Sequence, residues 1–188
     1  MSFLYFAYGS NMLPARLLAR CPSARPLGLA HAAGHDLAFS KMSKDGSGKA
    51  TLVSAADRMT TGILFEIAFA ERSALDRAEG AGQGYARIDD FTILINDAER
   101  STCVVTTYLA TAHVDGLQPY DWYLALVIAG AVHHGFGASD VERLQQVAHV
   151  IDPDPDRQTR CEALSALSAS GIGDYRALWP DRSAKPDR

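Results

Sequence analysis

A continuous apolar stretch at residues 122–132, WYLALVIAGAV, constrains this chain more than any other feature. Pro119 is placed to open a helix there that runs to about His134. The stretch is too short to cross a bilayer, which takes about 20 residues. A helix apolar on most of its faces cannot rest on a surface either, so the remainder of the chain has to enclose it. With 188 residues in all, one domain supplies that enclosure, with room for an added tail but not for a second full domain.

What encloses the helix reads as sheet. Residues 3–8 form an aromatic-rich apolar run ending at Gly9, a buried strand. Ser10 and Asn11 are helix-cap residue types, and Leu13, Leu17 and Leu18 follow at helical spacing with Arg16 and Arg20 between them. The first unit is therefore strand, tight glycine turn, helix. Residues 21–27, with two prolines, predict a loop, and residues 35–40 a second strand. Residues 41–49 carry Gly46, Gly48 and three lysines and predict a mobile surface loop. Strand-like runs come next at 50–55, 61–68, 88–95 and 102–109, with a short helix at 71–78 that turns Leu75 inward.

Beyond the apolar helix, residues 138–151 predict a helix capped by Ser139, with Val141, Leu144, Val147 and Ala148 on one stripe. The alternating acids and prolines of 152–156 stop it. A further amphipathic helix spans about 158–169, and the last nine residues read as frayed. Strands dominate the first 110 residues and helices the rest, so the fold class is α+β, a small closed or strongly curved sheet flanked by helices. The natural division is a domain over 1–151 and a C-terminal helical extension over 152–188.

Charge and cysteine usage exclude several function classes. Lys plus Arg total 18 against 22 Asp plus Glu, a net charge of −4, which leaves no basic surplus for nucleic acid. Cys21, Cys103 and Cys161 are an odd number, widely spaced and without a Cys-x-x-Cys pair. A disulfide framework and a structural zinc site are both disfavoured, and the three read as small buried or half-buried side chains in a reducing cytoplasm. The opening MSFLYFAYGSN has no basic region of a signal peptide. His31 and His35 are four apart, but Gly34 lies between them and a strand begins at His35, so no metal pair is expected. His133-His134 ends a helix, where cations are favourable. A soluble cytoplasmic protein follows, with no metal, cofactor or membrane partner. The apolar helix and the added C-terminal helix leave room for a homodimer.

Two local features carry chemistry. The turn Tyr8-Gly9-Ser10-Asn11 lies between strand and helix, where backbone N–H groups at the helix start can hold a carboxylate or phosphate. Gly9 permits close approach of a ligand, and Ser10 and Asn11 add side-chain donors. Glu79, in Ala78-Glu79-Gly80, ends a short helix beside a glycine-rich stretch. A helix C-terminus is negative, so a glutamate there is electrostatically misplaced unless it serves another purpose. That placement, with any loss of solvent, raises its pKa towards the range of a general base. Taken singly, an ordinary capped turn and a solvated surface glutamate are the better accounts of the two.

Together the motifs resemble those of the γ-glutamylcyclotransferase-like (AIG2-like) family. FLYFAYGSNM carries that family's YGSN loop at Tyr8, Gly9, Ser10 and Asn11, and Leu75, Asp76, Glu79 and Gly80 match its stretch with the catalytic glutamate. Tyr85 fits the Gly-Tyr that follows, GKATLV at 48–53 and TGILF at 61–65 are similar to its middle strands, and Tyr123 stands seven residues before Gly130-Ala131, as a substrate-lining tyrosine does there. The resemblance covers roughly residues 3–151. It implies a small mixed β-barrel flanked by helices and an enzyme that converts a γ-glutamyl amide into 5-oxoproline and a free amine. Glu79 is then the acid/base, Tyr8, Gly9, Ser10, Asn11, Tyr85 and Tyr123 hold a small-molecule γ-glutamyl substrate, and no cofactor takes part. A cyclotransferase for γ-glutamylamines or carrier-linked γ-glutamyl groups, and a non-catalytic binder of an acidic metabolite, are the alternatives. Asn11 departs from the glutathione-specific branch, which resembles a loop with Leu there. Val141 stands where several members carry a tyrosine.

Overall fold

Strand β1 (Ser2–Ala7) is short, and its last three residues are buried. It pairs antiparallel with β3 (Gly48–Ala68), from Ser2 opposite Ala68 to Ala7 opposite Ile63, and parallel with β5 (Thr102–Ala110) at Tyr5 and Thr106. β2 (Arg25–Met42) joins β3 in a long antiparallel ladder, β4 (Tyr85–Ile95) pairs with β5, and Ala30–His31 of β2 meet Leu94–Ile95 of β4. The result is a closed barrel in the order β1-β3-β2-β4-β5, with one parallel pair among antiparallel ones. It is an α+β mixed barrel, described over residues 1–95 and 101–180 of this computed structural model. Closure removes the sheet edges that would otherwise need protection.

Sequence periodicity breaks the two longest strands where the chain only bends. β2 has 18 residues, and takes in the last three residues of the proline-containing segment expected to be loop as well as the strand expected at 35–40. β3 has 21 and merges the runs expected at 50–55 and 61–68. The ladder shifts register between Ala33 and His35, where Gly34 has φ +71, and exposed Asp57 and Arg58 occupy the bulged side of β3. A bulge bends a strand and increases its twist without ending it, as a barrel wall requires. The loop expected over 41–49 shrinks to a tight connection. Ser43 N–H donates to the Ser47 carbonyl, and the Asp45 carboxylate accepts from Ser47 and from Lys49 Nζ at 3.3 Å.

Helix α1 (Pro14–Leu18) has only five residues, and Ser10–Met12 form a separate 3-10 turn before it. Ser10 and Asn11 therefore do not cap an α-helix, because the turn interposes and Pro14 opens the helix itself. α2 (Arg72–Glu79) buries Leu75 completely and stops at Gly80, whose φ of +70 gives the left-handed cap that glycine adopts without strain.

α3 (Asp121–His133) is the apolar helix, buried at every residue from Asp121 to Ala131. Truncating such a side chain, as in Leu126→Ala, costs about 2–5 kcal/mol. Gly130 is required where α3 crosses the turn after β1, since a Cβ there would lie 2.7 Å from Met12 Cβ and 2.8 Å from Leu13 N. α4 (Ala138–Gln145) ends six residues earlier than expected, and Gly137, not Ser139, precedes it as its cap residue. The chain leaves the helix so that Val150 can pair with the backbone flanking α3: Asp121 N–H donates to Val150 O and Val150 N–H to Pro119 O.

α5 (Gln158–Ala169) packs on α3 and α1. The segment before it is tied down by Asp152, which accepts from Trp122 Nε1 at 2.9 Å and from Arg157 Nε at 2.7 Å. Burial works against the Asp152 charge, but the Arg157 hydrogen bonds and the others prevail and hold its pKa near about 2. All three cysteines are free. Cys21 is buried and Cys103 half-buried as expected, whereas Cys161 is exposed on α5. The frayed tail expected at the C-terminus falls, beyond Pro180, outside the described residues. Among the described residues no helix is long and apolar enough to cross a membrane.

Candidate active site

The barrel brings the residues singled out in the sequence to one place. Tyr8, Gly9, Ser10 and Asn11 follow β1, Glu79 ends α2, Tyr85 begins β4 and Tyr123 comes from α3; all seven line one recess, together with Tyr5, Ala50 and Tyr108. They arrive from four different elements, which is how a closed sheet gathers side chains distant in sequence.

Asn11 is the hub. Its side chain, 2 % exposed, donates from Nδ2 to Tyr5 Oη at 3.1 Å and to Glu79 Oε1, while its Oδ1 accepts from Arg20 Nη1 at 2.7 Å. Arg20 Nη1 also lies 3.4 Å from Glu79 Oε1. The side chain of Asn11 is thus engaged with protein groups that set the position of Glu79. Glu79 keeps 18 % of its side-chain surface accessible, enough for a ligand to reach. Loss of solvent raises its pKa, against the lowering pull of Arg20, Arg16, the Asn11 hydrogen bond and Lys41.

Phenols wall the rest of the recess and are tied to the backbone. Tyr8 donates to the Tyr108 carbonyl, and Tyr85 donates to Ala50 O at 2.7 Å. Ala50 N–H donates to Tyr123 Oη at 3.1 Å. Burial first of all, and the nearby Glu79 among lesser causes, push these hydroxyls up, that of Tyr123 to about 12, so they are neutral donors at physiological pH. Tyr108 continues the network outward, donating to Asp76 Oδ1 at 2.8 Å, and Asp76 in turn pairs with Arg87 at 2.7 Å.

Sequence reasoning left out Tyr5, Tyr108, Arg16 and Arg20 as site residues. The arginines carried a readable signal, since Arg16 and Arg20 are four apart beside the YGSN turn. Val141 packs against the hydrophobic core from α4 and is not among the residues lining the recess. His134 caps α3 and sits 2.9 Å, through Nε2, from Met12 O beneath the turn. Among the described residues no three His, Cys, Asp or Glu side chains gather as a metal site.

The AIG2-like family pattern matches residues 60–144, a span that holds Glu79, Tyr85 and Tyr123. Over 151 residues, 78% of this chain and 79% of the relative, the sequence is 27% identical to human (Homo sapiens) γ-glutamylcyclotransferase. The matched span and this identity support a likeness to the γ-glutamylcyclotransferase-like, AIG2-like family. The mouse (Mus musculus) γ-glutamylcyclotransferase is 28% identical over the same shares of the two chains. In fold, the chain superposes on a solved γ-glutamyl cyclotransferase with a TM-score of 0.78 at 24% identity, covering 88% of this chain and 99% of that one.

Proposed function

We propose that this chain is an enzyme of the γ-glutamylcyclotransferase type, in which Glu79 moves the proton that ring closure requires. The carrying observation is a single accessible carboxyl at the edge of a recess walled by phenols, fixed by Asn11 and Arg20 and with its pKa raised by burial.

The substrate's own α-amine is the nucleophile, and at neutral pH it is an ammonium. Glu79, ionised, takes one of its protons. The amine nitrogen bonds to the γ-carbonyl carbon, Glu79 returns the proton to the departing nitrogen as its C–N bond breaks, and the second proton shed by the ring nitrogen is taken up by the released amine, which leaves as an ammonium. The products are 5-oxoproline and a free amine, and no water is consumed. A raised pKa suits a group that must both accept and donate near neutrality. Orientation supplies much of the rate, because attack within one molecule is favoured once the chain is bent. The 3-10 turn serves that purpose in this reading: the first N–H groups of such a turn have no partner inside it, and those of Ser10 and Asn11 would receive the glutamyl carboxylate or the developing oxyanion. Tyr123 and Tyr85 flank the substrate as neutral walls. A protein that only bound a γ-glutamyl anion would gain nothing from a further negative charge at Glu79. Free cysteines suit work in a reducing cytoplasm.

The test is product identity. Purified protein with γ-glutamyl dipeptides, γ-glutamylamines and glutathione should release 5-oxoproline from at least one class, with no label incorporated from 18O-water. Release of labelled glutamate instead would make the chain a hydrolase.

A further inference from the structure

The recess opens, through Ser10, Glu79, Tyr85 and Tyr123, into a larger cavity of about 490 Å³. That is within the size of ordinary small-molecule sites, roughly 300–1,000 Å³. The whole chain is acidic, with a net charge of −4, yet this cavity is lined by Arg16, Arg20, Lys41, Lys44, Lys49 and Arg77. The acids that face them, Glu79 and Asp45, are already committed: Glu79 to Asn11 and Arg20, Asp45 to Ser47 and Lys49. Arg157, which also lines the cavity, is paired with Asp152.

Among the described residues the remaining cations form no ion pair. Arg16 is 8 % exposed, its Nε has no hydrogen-bond partner, and among the described residues its guanidinium forms no ion pair. Lys41 sits 5.0 Å above the Tyr85 ring, again without a carboxylate. Lys44 and Arg77 are likewise unpaired among the described residues. A guanidinium buried beside other cations is unfavourable unless an anion completes it. A cleft of one sign also concentrates ligands of the other. The inner recess suits the glutamyl end, so the outer cavity faces the part of the substrate that departs.

We infer that the preferred substrates are γ-glutamyl compounds whose released amine carries two or more negative charges, held by Arg16, Lys41 and their neighbours. This rests on the cyclotransferase reading and adds the leaving-group class. Two carboxylates or one phosphate would present the same charge.

Four amides separate the possibilities: γ-glutamylglutamate, γ-glutamyl-phosphoethanolamine, γ-glutamylalanine and γ-glutamylethylamide, whose released amines carry two, two, one and no negative charges. Wild-type kcat/KM for 5-oxoproline release should fall about tenfold for each charge removed, the value of one charge-assisted contact. Whichever dianion leads identifies carboxylate or phosphate as the source. Arg16→Gln and Lys41→Gln should each flatten the series by raising KM for the dianions, and added salt should do the same. A flat series, or one led by the ethylamide, overturns the inference while leaving the cyclotransferase reading intact. Absence of 5-oxoproline from all four overturns that reading instead. The inference is then judged by calorimetry on the wild-type protein: tighter binding of γ-glutamylglutamate than of γ-glutamylethylamide supports it, and equal binding overturns it. Lys41 is only half-buried, so its variant keeps the test available if Arg16→Gln does not fold.

Discussion

Glu79 and Arg16 face one cavity and are treated in opposite ways. Glu79 is bonded by Asn11 and approached by Arg20, so its position is fixed before any ligand arrives. Arg16, as deeply buried as a core residue, finds no acceptor for its Nε and no ion-pair partner among the described residues. The cost of moving each charge out of water falls on both, raising the Glu79 pKa and lowering that of Arg16 to about 10. A group that must act in a defined geometry is partnered from within the protein; a group that must receive a ligand is left for the ligand to partner. The contrast separates the reacting end of the site from the recognising end.

It can be broken most severely at Asn11. Asn11→Leu removes the donor to Glu79 and the acceptor of Arg20, and should lower kcat by about 10²-fold or more, with KM changing less. If KM alone rises, Asn11 is a recognition residue and the two ends are not distinct. Arg20→Met should act more mildly, lowering kcat by about tenfold and also changing the pH profile. Glu79 must be ionised to take the proton, so the rate rises with pH through its raised pKa. Arg20 is the strongest of the groups lowering that pKa, so its loss should move this acidic limb to higher pH. A limb that stays in place would mean that another group titrates.

Lys49 offers a finer probe of the recognising end. Burial lowers its pKa to about 8, against the pull of Asp45, and its ammonium lies 4.5 Å from the Tyr123 ring centroid. As pH rises through about 8 the cavity loses this charge, and KM for an anionic substrate should rise a few-fold. A KM that is constant from pH 7 to 9 would mean that the Lys49 charge, paired with Asp45, adds nothing to recognition. The smallest effect concerns architecture alone: Gly130→Ala forces a methyl against Met12 and Leu13 and should cost about 1–3 kcal/mol, a Tm decrease of several degrees.

Sequence and structure part company in an instructive way. The apolar run of α3 announced a buried helix because no other placement suits it, and α5 was legible to the residue from its spacing. β2 and β3 were read as fragments, since a bulge at Gly34 or exposed Asp57 and Arg58 look in one dimension like the end of a strand. The recess was legible for a different reason. Its residues sit at element ends, marked by Gly9 and Gly80, where motifs are compact enough to be recognised. Arg16, Arg20, Tyr5 and Tyr108 were missed because only barrel closure and the crossing of α3 over the turn point them inward. The surplus of positive charge in the cavity was invisible in a chain with net charge −4, since composition averages over the surface.

The central claim is that Glu79 alone carries the proton. The most direct measurement is the rate of 5-oxoproline release by Glu79→Gln beside the wild type, with 5-oxoproline binding measured on both proteins. Glutamine keeps the size of the side chain and its contacts with Asn11, so the variant should fold and bind within a few-fold of the wild type. Its rate should fall by about 10²–10⁴-fold, the usual worth of a general acid/base. A rate within tenfold of the wild type, in a variant that still binds 5-oxoproline, would contradict the account.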